Sequence, residues 1–459
     1  MVATGLRLFY TFEQKDFIWY DTTQYIAVSQ HALLSRAFWS GSQPPLVPLM
    51  WKVTESATGF AGLQSILAAI AWGFLAWTVW SWLGGGFRAT AAACVVLGFS
   101  LTPFVLQWDA SDLSETISLA AIAVIFGTGL WLIERFTWGR AAGLIGACLV
   151  FELARDEGIE VVGSIGVVAV VVAVAFAVAK RRSLALRYGL LAAIVLATTG
   201  LVALAAQQAH RNVLNVENSL FVRVFPYPNM VADFASHGMP QSKQIDAVAK
   251  VLAVPQASPY AYASPVPSPS TALVVGPVLS EPYWAPLRHW IAAHGESTYL
   301  EFLATHPSYV LRAPLHHPSL AFNSPSTLDY YHIAGHSSIP GMSIFFPRRI
   351  FVLAMALIAA ATMLIRRVWR RWEVAYLMAM IPLGMFAMAV GWFGDGQEIA
   401  RHMIEGNVMI RLAVLLLLLW SALSKAVLVG EADVADGDGE SVSEVADHQA
   451  LIGESSTSG

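Results

Sequence analysis

Four short stretches carry the side chains with chemical capacity: "YDTTQY" with Asp21, "QWDASDLSET" with Asp109, Asp112 and Glu115, "ARDEGIE" with Arg155, Asp156, Glu157 and Glu160, and "GDGQEIARH" with Asp395, Glu398, Arg401 and His402. Carboxylates of this kind take protons from hydroxyl groups, and guanidinium groups hold anions through paired N–H donors. Each stretch borders a long apolar run. Ionisable groups at such boundaries are costly and tend to face cavities, so four sets at one level are what a shared reactive cleft would need. The plainer reading is that polar connections simply hold polar residues and that Asp112 and Asp156 cap helices.

The elements that must position these groups are apolar helices. Of 459 residues, 56% are hydrophobic and 13% charged, with 16 Trp, and the mean hydropathy is +0.58. Runs of the ~20 residues needed to cross a bilayer recur along the chain, so a single cleaved leader does not account for them. We expect membrane helices at about 60–83, 89–107, 113–133, 141–155, 159–179, 188–207, 350–368, 374–393 and 405–429, the fourth being short and partly re-entrant. A net charge of -4 argues against nucleic acid as a partner. Cys94 and Cys148 both fall in apolar runs and read as packing residues.

Basic residues settle the expected orientation. Arg88, then Arg135 and Arg140, then Lys180, Arg181, Arg182 and Arg187, then Arg366, Arg367, Arg370 and Arg371 occupy every second connection. The side rich in Lys and Arg normally faces the cytoplasm. The alternate connections, which hold all four reactive stretches, are therefore expected outside. The chain divides into an opening extracytoplasmic segment at 1–59, membrane helices at 60–207, a large extracytoplasmic loop region at 208–349, further membrane helices at 350–429 and an acidic, disordered cytoplasmic tail at 430–459. Residues 253–280, rich in Pro, Ser and Ala, read as an extended strap. An extracytoplasmic opening segment with no span ahead of it is either exported as a short tail or, the alternative we expect, follows a first helix missing from the chain.

The opening "YDTTQY...FWSGSQPPLVPL" resembles the first outer loop of the type-C (GT-C) membrane glycosyltransferases. In that superfamily an acid shortly after the first span acts in catalysis and a "G..PPL.PL"-like turn leads into the second. Asp21 matches the acid, and Pro44, Pro45 and Pro48 match the turn. "LSET" around Glu115 is similar to the superfamily's second acidic site, and "ARD", "GDGQEIARH", "GMP" at 238–240 and "FLATHPSYV" resemble patterns in bacterial members. The resemblance implies an all-α polytopic membrane protein, a GT-C-like helix bundle with its active site on the extracytoplasmic side of the cell membrane. It implies transfer of a hexosyl or pentosyl group from a polyprenyl-phosphate sugar to a glycan, lipid or protein acceptor, among membrane lipids.

On that reading Asp21 is the base and Glu115 the second catalytic acid, while Arg401, Arg155 and His402 meet the donor phosphate. Asp109, Asp112, Asp156, Asp395 and Glu398 line the substrate site. Asp109 and Asp112 could instead hold a divalent metal, Mg or Mn, though their spacing is not diagnostic. Tyr25 and Trp39 are candidates for sugar stacking, against the simpler role of interfacial aromatics, and Trp51 for an interfacial anchor. Two other classes compete: a transporter or flippase of a lipid-linked substrate, and a non-catalytic membrane scaffold. Transporters usually place charge near the bilayer midplane, whereas these charges gather at one face.

Overall fold

The computed structural model describes residues 2–13, 20–209, 211–225, 227–241, 282–316, 349–365, 371–394 and 399–423, which are helical and include no strand. Among the described residues, six helices are long and apolar enough to cross a membrane: α5 (Ala57–Trp82), α8 (Glu115–Glu134), α10 (Glu157–Val178), α11 (Arg182–Gln208), α18 (Trp372–Gly394) and α20 (Ile404–Leu423). The chain is thus a multi-pass helical membrane protein. Nine spans were expected. The helices α9 (Trp138–Ala154) and α17 (Arg349–Ile365) form where anticipated, with 17 residues each among the described residues. The α9 helix is continuous rather than re-entrant.

The expected span at 89–107 is broken. Helix α6 (Gly86–Ser100) ends, the chain bends by 51°, and α7 (Pro103–Leu106) with a following 3-10 turn completes the pair. Pro103 explains the break, because the residue before a proline is driven out of helical geometry, and Thr102 is extended at φ -63°, ψ 147°. Irregular backbone inside an apolar bundle needs internal partners for its carbonyls. Gln64 of α5 provides them, its Nε2 donating to the carbonyls of Trp108, Asp109 and Ser111 at 3.2, 2.7 and 2.7 Å.

The opening segment is more ordered than a loop. It forms α1 (Val2–Glu13), α2 (Tyr20–Ser29), α3 (Arg36–Trp39) and α4 (Leu46–Thr54). Pro45 caps α4 and Pro48 sits in its first turn, positions that need no helical N–H. Helix α1 packs along α5 and buries Arg7, which grips Asp109 in a bidentate pair, Nη2 to Oδ1 at 2.7 Å. Thr116 also donates to Asp109 at 3.2 Å.

Topology puts the reactive stretches at one end of the bundle and the basic connections at the other. At the basic end Trp82 of α5 stacks on Trp420 of α20 at 4.1 Å, and Arg371 lies 5.5 Å over the Trp420 ring. Over the reactive end lie α12 (Asn212–Ser219), a π turn at Leu220–Val224, α13 (Pro228–Ser236), α14 (Ala285–Trp290), α15 (Glu296–Thr305) and α16 (Pro307–His316). Their apolar core continues into Met388, Trp392 and Phe393 at the end of α18 and into Met403 just ahead of α20. Arg223 joins the two, donating to the Trp392 carbonyl with its guanidinium 5.6 and 5.7 Å from the rings of Trp392 and Phe393.

Breaking a buried ion pair from one side strands a charge, at about 3–5 kcal/mol, while exchanging both partners for apolar residues is often neutral. Arg7→Met should therefore lower the unfolding temperature of the detergent-purified protein far more than the double change Arg7→Met with Asp109→Leu. Equal destabilisation by the two in thermal unfolding would show that α1 holds the bend by packing alone.

Candidate functional site

Three span N-termini each carry a carboxylate in the first turn: Glu115 on α8, Glu157 on α10 and Glu405 on α20. An acid there is favoured by the positive end of the helix dipole. The three helices bring these acids together, and the cations come from the connections between them. Arg155, between α9 and α10, is the hub. Its Nη1 donates to Glu115 at 2.9 Å and to Glu405 at 3.0 Å, its Nε donates to Glu157 at 3.0 Å, and its Nη2 lies 2.9 Å from His402 Nδ1. Ser118, one turn into α8, donates to Glu405 at 2.7 Å.

Arg401, in the short α19 (Ile399–His402), extends the network outward. Its Nε pairs with Glu115 and its Nη1 with Asp21 at 2.9 Å. His402 meets Glu157 at 2.5 Å. Exposure grades along this chain of charges: the Glu115 side chain is fully buried, Arg401 and Arg155 are 4–5% exposed, and Asp21 reaches 28%. A second rim lies at Glu157, 20% exposed, and His402, 15%. Glu115 and Arg155 form the inner part of the network, and Arg401 links it to Asp21 at the rim.

Helix α2 holds Asp21 in place. Thr22 donates to the Asp112 carbonyl at 3.1 Å, which ties α2 to the turn that follows the broken span. Tyr25, one turn beyond Asp21, is buried beneath it and hydrogen-bonds Ser114. Burial, then the charges of Asp21 and Glu115, push its phenol well above the ordinary value against the pull of Arg401. Tyr25 is thus a neutral support for the carboxylate. Asp156 pairs with Arg211 at 2.7 Å beside the network. Burial pushes its carboxyl up to about 6, against Arg211.

The arrangement brings Asp21, Glu115, Arg155, Arg401 and His402 together. It treats other expected site residues differently. Asp109 is fully buried and held by Arg7, so its side chain supports the broken span and faces no cleft. Asp112 is also fully buried and contributes its carbonyl to Thr22. Trp39 is half-exposed, its indole N–H donating to the Leu33 carbonyl at 2.6 Å, which anchors α3 to its own loop. Asp395 and Glu398 lie outside the described residues. Among the described residues, no group of three His, Cys, Asp or Glu side chains is placed to hold a metal ion.

Glu405, Glu157 and Arg211 join the site without having been chosen as site residues. Glu405 had a readable signal, an acid in the first turn of a span four residues after Arg401. Comparisons with protein-family models, with curated proteins and with solved structures found no match to this chain. The geometry stands on its own.

Arg155 spreads three carboxylates and a histidine over its three guanidinium nitrogens, Glu115 and Glu405 sharing Nη1, which a lysine ammonium cannot reproduce. Arg155→Lys should cost about 3 kcal/mol of stability, within the range for a broken buried pair. Glu134→Ala, which removes the exposed partner of Arg140, should cost under about 1 kcal/mol. Chemical denaturation of the two variants in matched micelles measures the contrast, and similar losses would demote Arg155 from hub to bystander.

Proposed function

We propose that this protein is an integral membrane glycosyltransferase that moves a sugar from a polyprenyl-phosphate donor to an acceptor hydroxyl with inversion. The observation that carries the reading is the Asp21–Arg401 pair at the rim of the charged network, a carboxylate and a guanidinium 2.9 Å apart, with Arg401 braced from behind by Glu115. Transfer from a lipid phosphate asks for these two groups side by side: a base for the acceptor and a cation for the leaving phosphate. The opening motif around Asp21 and the turn at Pro44, Pro45 and Pro48 resemble the GT-C superfamily and favour the same chemistry.

The step runs as follows. Phosphate oxygens of the donor engage Arg401 and draw it from Asp21, whose carboxylate then accepts the proton of the acceptor hydroxyl. The acceptor oxygen forms its bond to the anomeric carbon as the bond from that carbon to the phosphate oxygen breaks. Polyprenyl phosphate departs as an anion on Arg401, and the anomeric configuration inverts. Glu115 and Arg155 touch neither substrate; they hold Arg401 and His402 at a fixed distance from the rim. His402 stands within reach of the phosphate.

The basic residues gather at the opposite helix ends, which by the positive-inside rule supports an extracytoplasmic site in the cell membrane. Charge concentrates at helix ends, Arg411 midway along α20 with Asn407 as a partner being the exception, and that concentration favours the enzyme over a transporter.

Membranes carrying the protein or its Asp21→Asn form, incubated with radiolabelled polyprenyl-phosphate sugars, test the proposal. Label should pass to a new acceptor with the unaltered protein and fall by at least about 100-fold with Asp21→Asn, in the range lost with a general base. Transfer undiminished in Asp21→Asn would remove Asp21 from the chemistry, and no transfer by either form would favour a transporter or scaffold.

A further inference from the structure

The segment that carries Arg401, His402 and Glu405 meets α18 through close backbone contacts as well as through the apolar side chains around Met403. At Gly391 on α18, an added Cβ would lie 2.5 Å from the His402 carbonyl carbon and 3.0 Å from the Met403 nitrogen, and closer still to the His402 oxygen. Real Cβ atoms do not approach backbone so closely, so this contact exists only because residue 391 has no side chain. About two turns earlier on α18, Gly384 meets Gly406, where an added Cβ on Gly406 would lie 2.6 Å from the Met388 nitrogen. Residues 401–405 thus sit between two glycine contacts with the same helix. Neither position is forced by backbone conformation, since neither has a positive φ. Glycine inside a helix costs about 1 kcal/mol against alanine, and the close approach is what offsets that cost here.

We infer that Gly391 is a positioning residue: by letting the His402 carbonyl rest on α18, it sets the distance of Arg401 from Asp21 and of His402 from Glu157. The inference rests on the glycosyltransferase reading for its effect on turnover, but not for its effect on geometry. A methyl group at 391 must push the α19 turn outward by about 1 Å to reach ordinary contact, and misplacement of that size can cost about 100-fold in rate. Glu115 and Glu157, on other helices, do not move with it, so the Arg401–Glu115 and His402–Glu157 pairs are stretched together.

The test compares Gly391→Ala with Gly146→Ala, an identical change on α9 where nothing lies within 4 Å of the added carbon. Two readouts are taken on purified protein: transfer kinetics, and histidine-selective NMR with the His402 ring signals assigned by their loss in His402→Gln. In Gly391→Ala, kcat should fall about 100-fold with donor KM changing less than about threefold, and the His402 signals should shift. Gly146→Ala should match the unaltered protein in both. Unshifted His402 signals in a folded Gly391→Ala protein would overturn the inference, as would a loss of fold, which would make the glycine a packing requirement only. If the unaltered protein transfers no sugar, the glycosyltransferase reading fails, while the NMR comparison still decides whether Gly391 positions the turn.

Discussion

A carboxylate without water must be paired, and Glu115 is where this protein faces that requirement most severely. It is wholly buried at the N-terminus of a span and is served by Arg155 from one connection and Arg401 from another. Burying an ion costs several kcal/mol, and the network repays it only because each guanidinium serves several acids in good geometry. Much else follows from that one constraint. Arg401 is fixed because Glu115 holds it, Asp21 has a cation beside it because Arg401 is fixed, and α2 lies where it does because its acid has that partner.

The same logic recurs at the broken span. Bending α6 into α7 exposes carbonyls that no water can reach in a bundle, and Gln64 and Arg7 answer for them. The two networks meet in the short turn between Asp109 and Glu115, where one end is locked by Arg7 and the other by Arg155 and Arg401. Thr22 and Tyr25 dock α2 on that turn. The rim carboxylate is thus placed by two buried ion-pair sets that lock the two ends of the turn on which α2 docks.

The helical class and the clustering of charge at one end were legible from hydropathy and from the alternation of basic connections. Asp21, Arg155, Arg401 and His402 could be picked out because charge beside an apolar run is conspicuous. The break at Thr102 and Pro103 was missed because hydropathy continues across it, although the proline was there to be read. Asp109 was misread for a different reason: an acid beside a span looks the same in sequence whether it faces a cleft or an arginine 102 residues away. Glu405 was counted as the start of a span, since nothing in its own neighbourhood reveals the Arg155 that meets it from a helix connection 250 residues earlier.

The separations along the chain also order the assembly of the protein during synthesis. Glu115 emerges 40 residues before Arg155 and 286 before Arg401. A nascent bundle ending near residue 180 can already neutralise Glu115 through Arg155, whereas Glu405 and Arg401 complete the network only when the last span is inserted. The early helices therefore wait in the membrane with a partly satisfied acid, and Arg155 acts as its custodian until the C-terminal helices arrive.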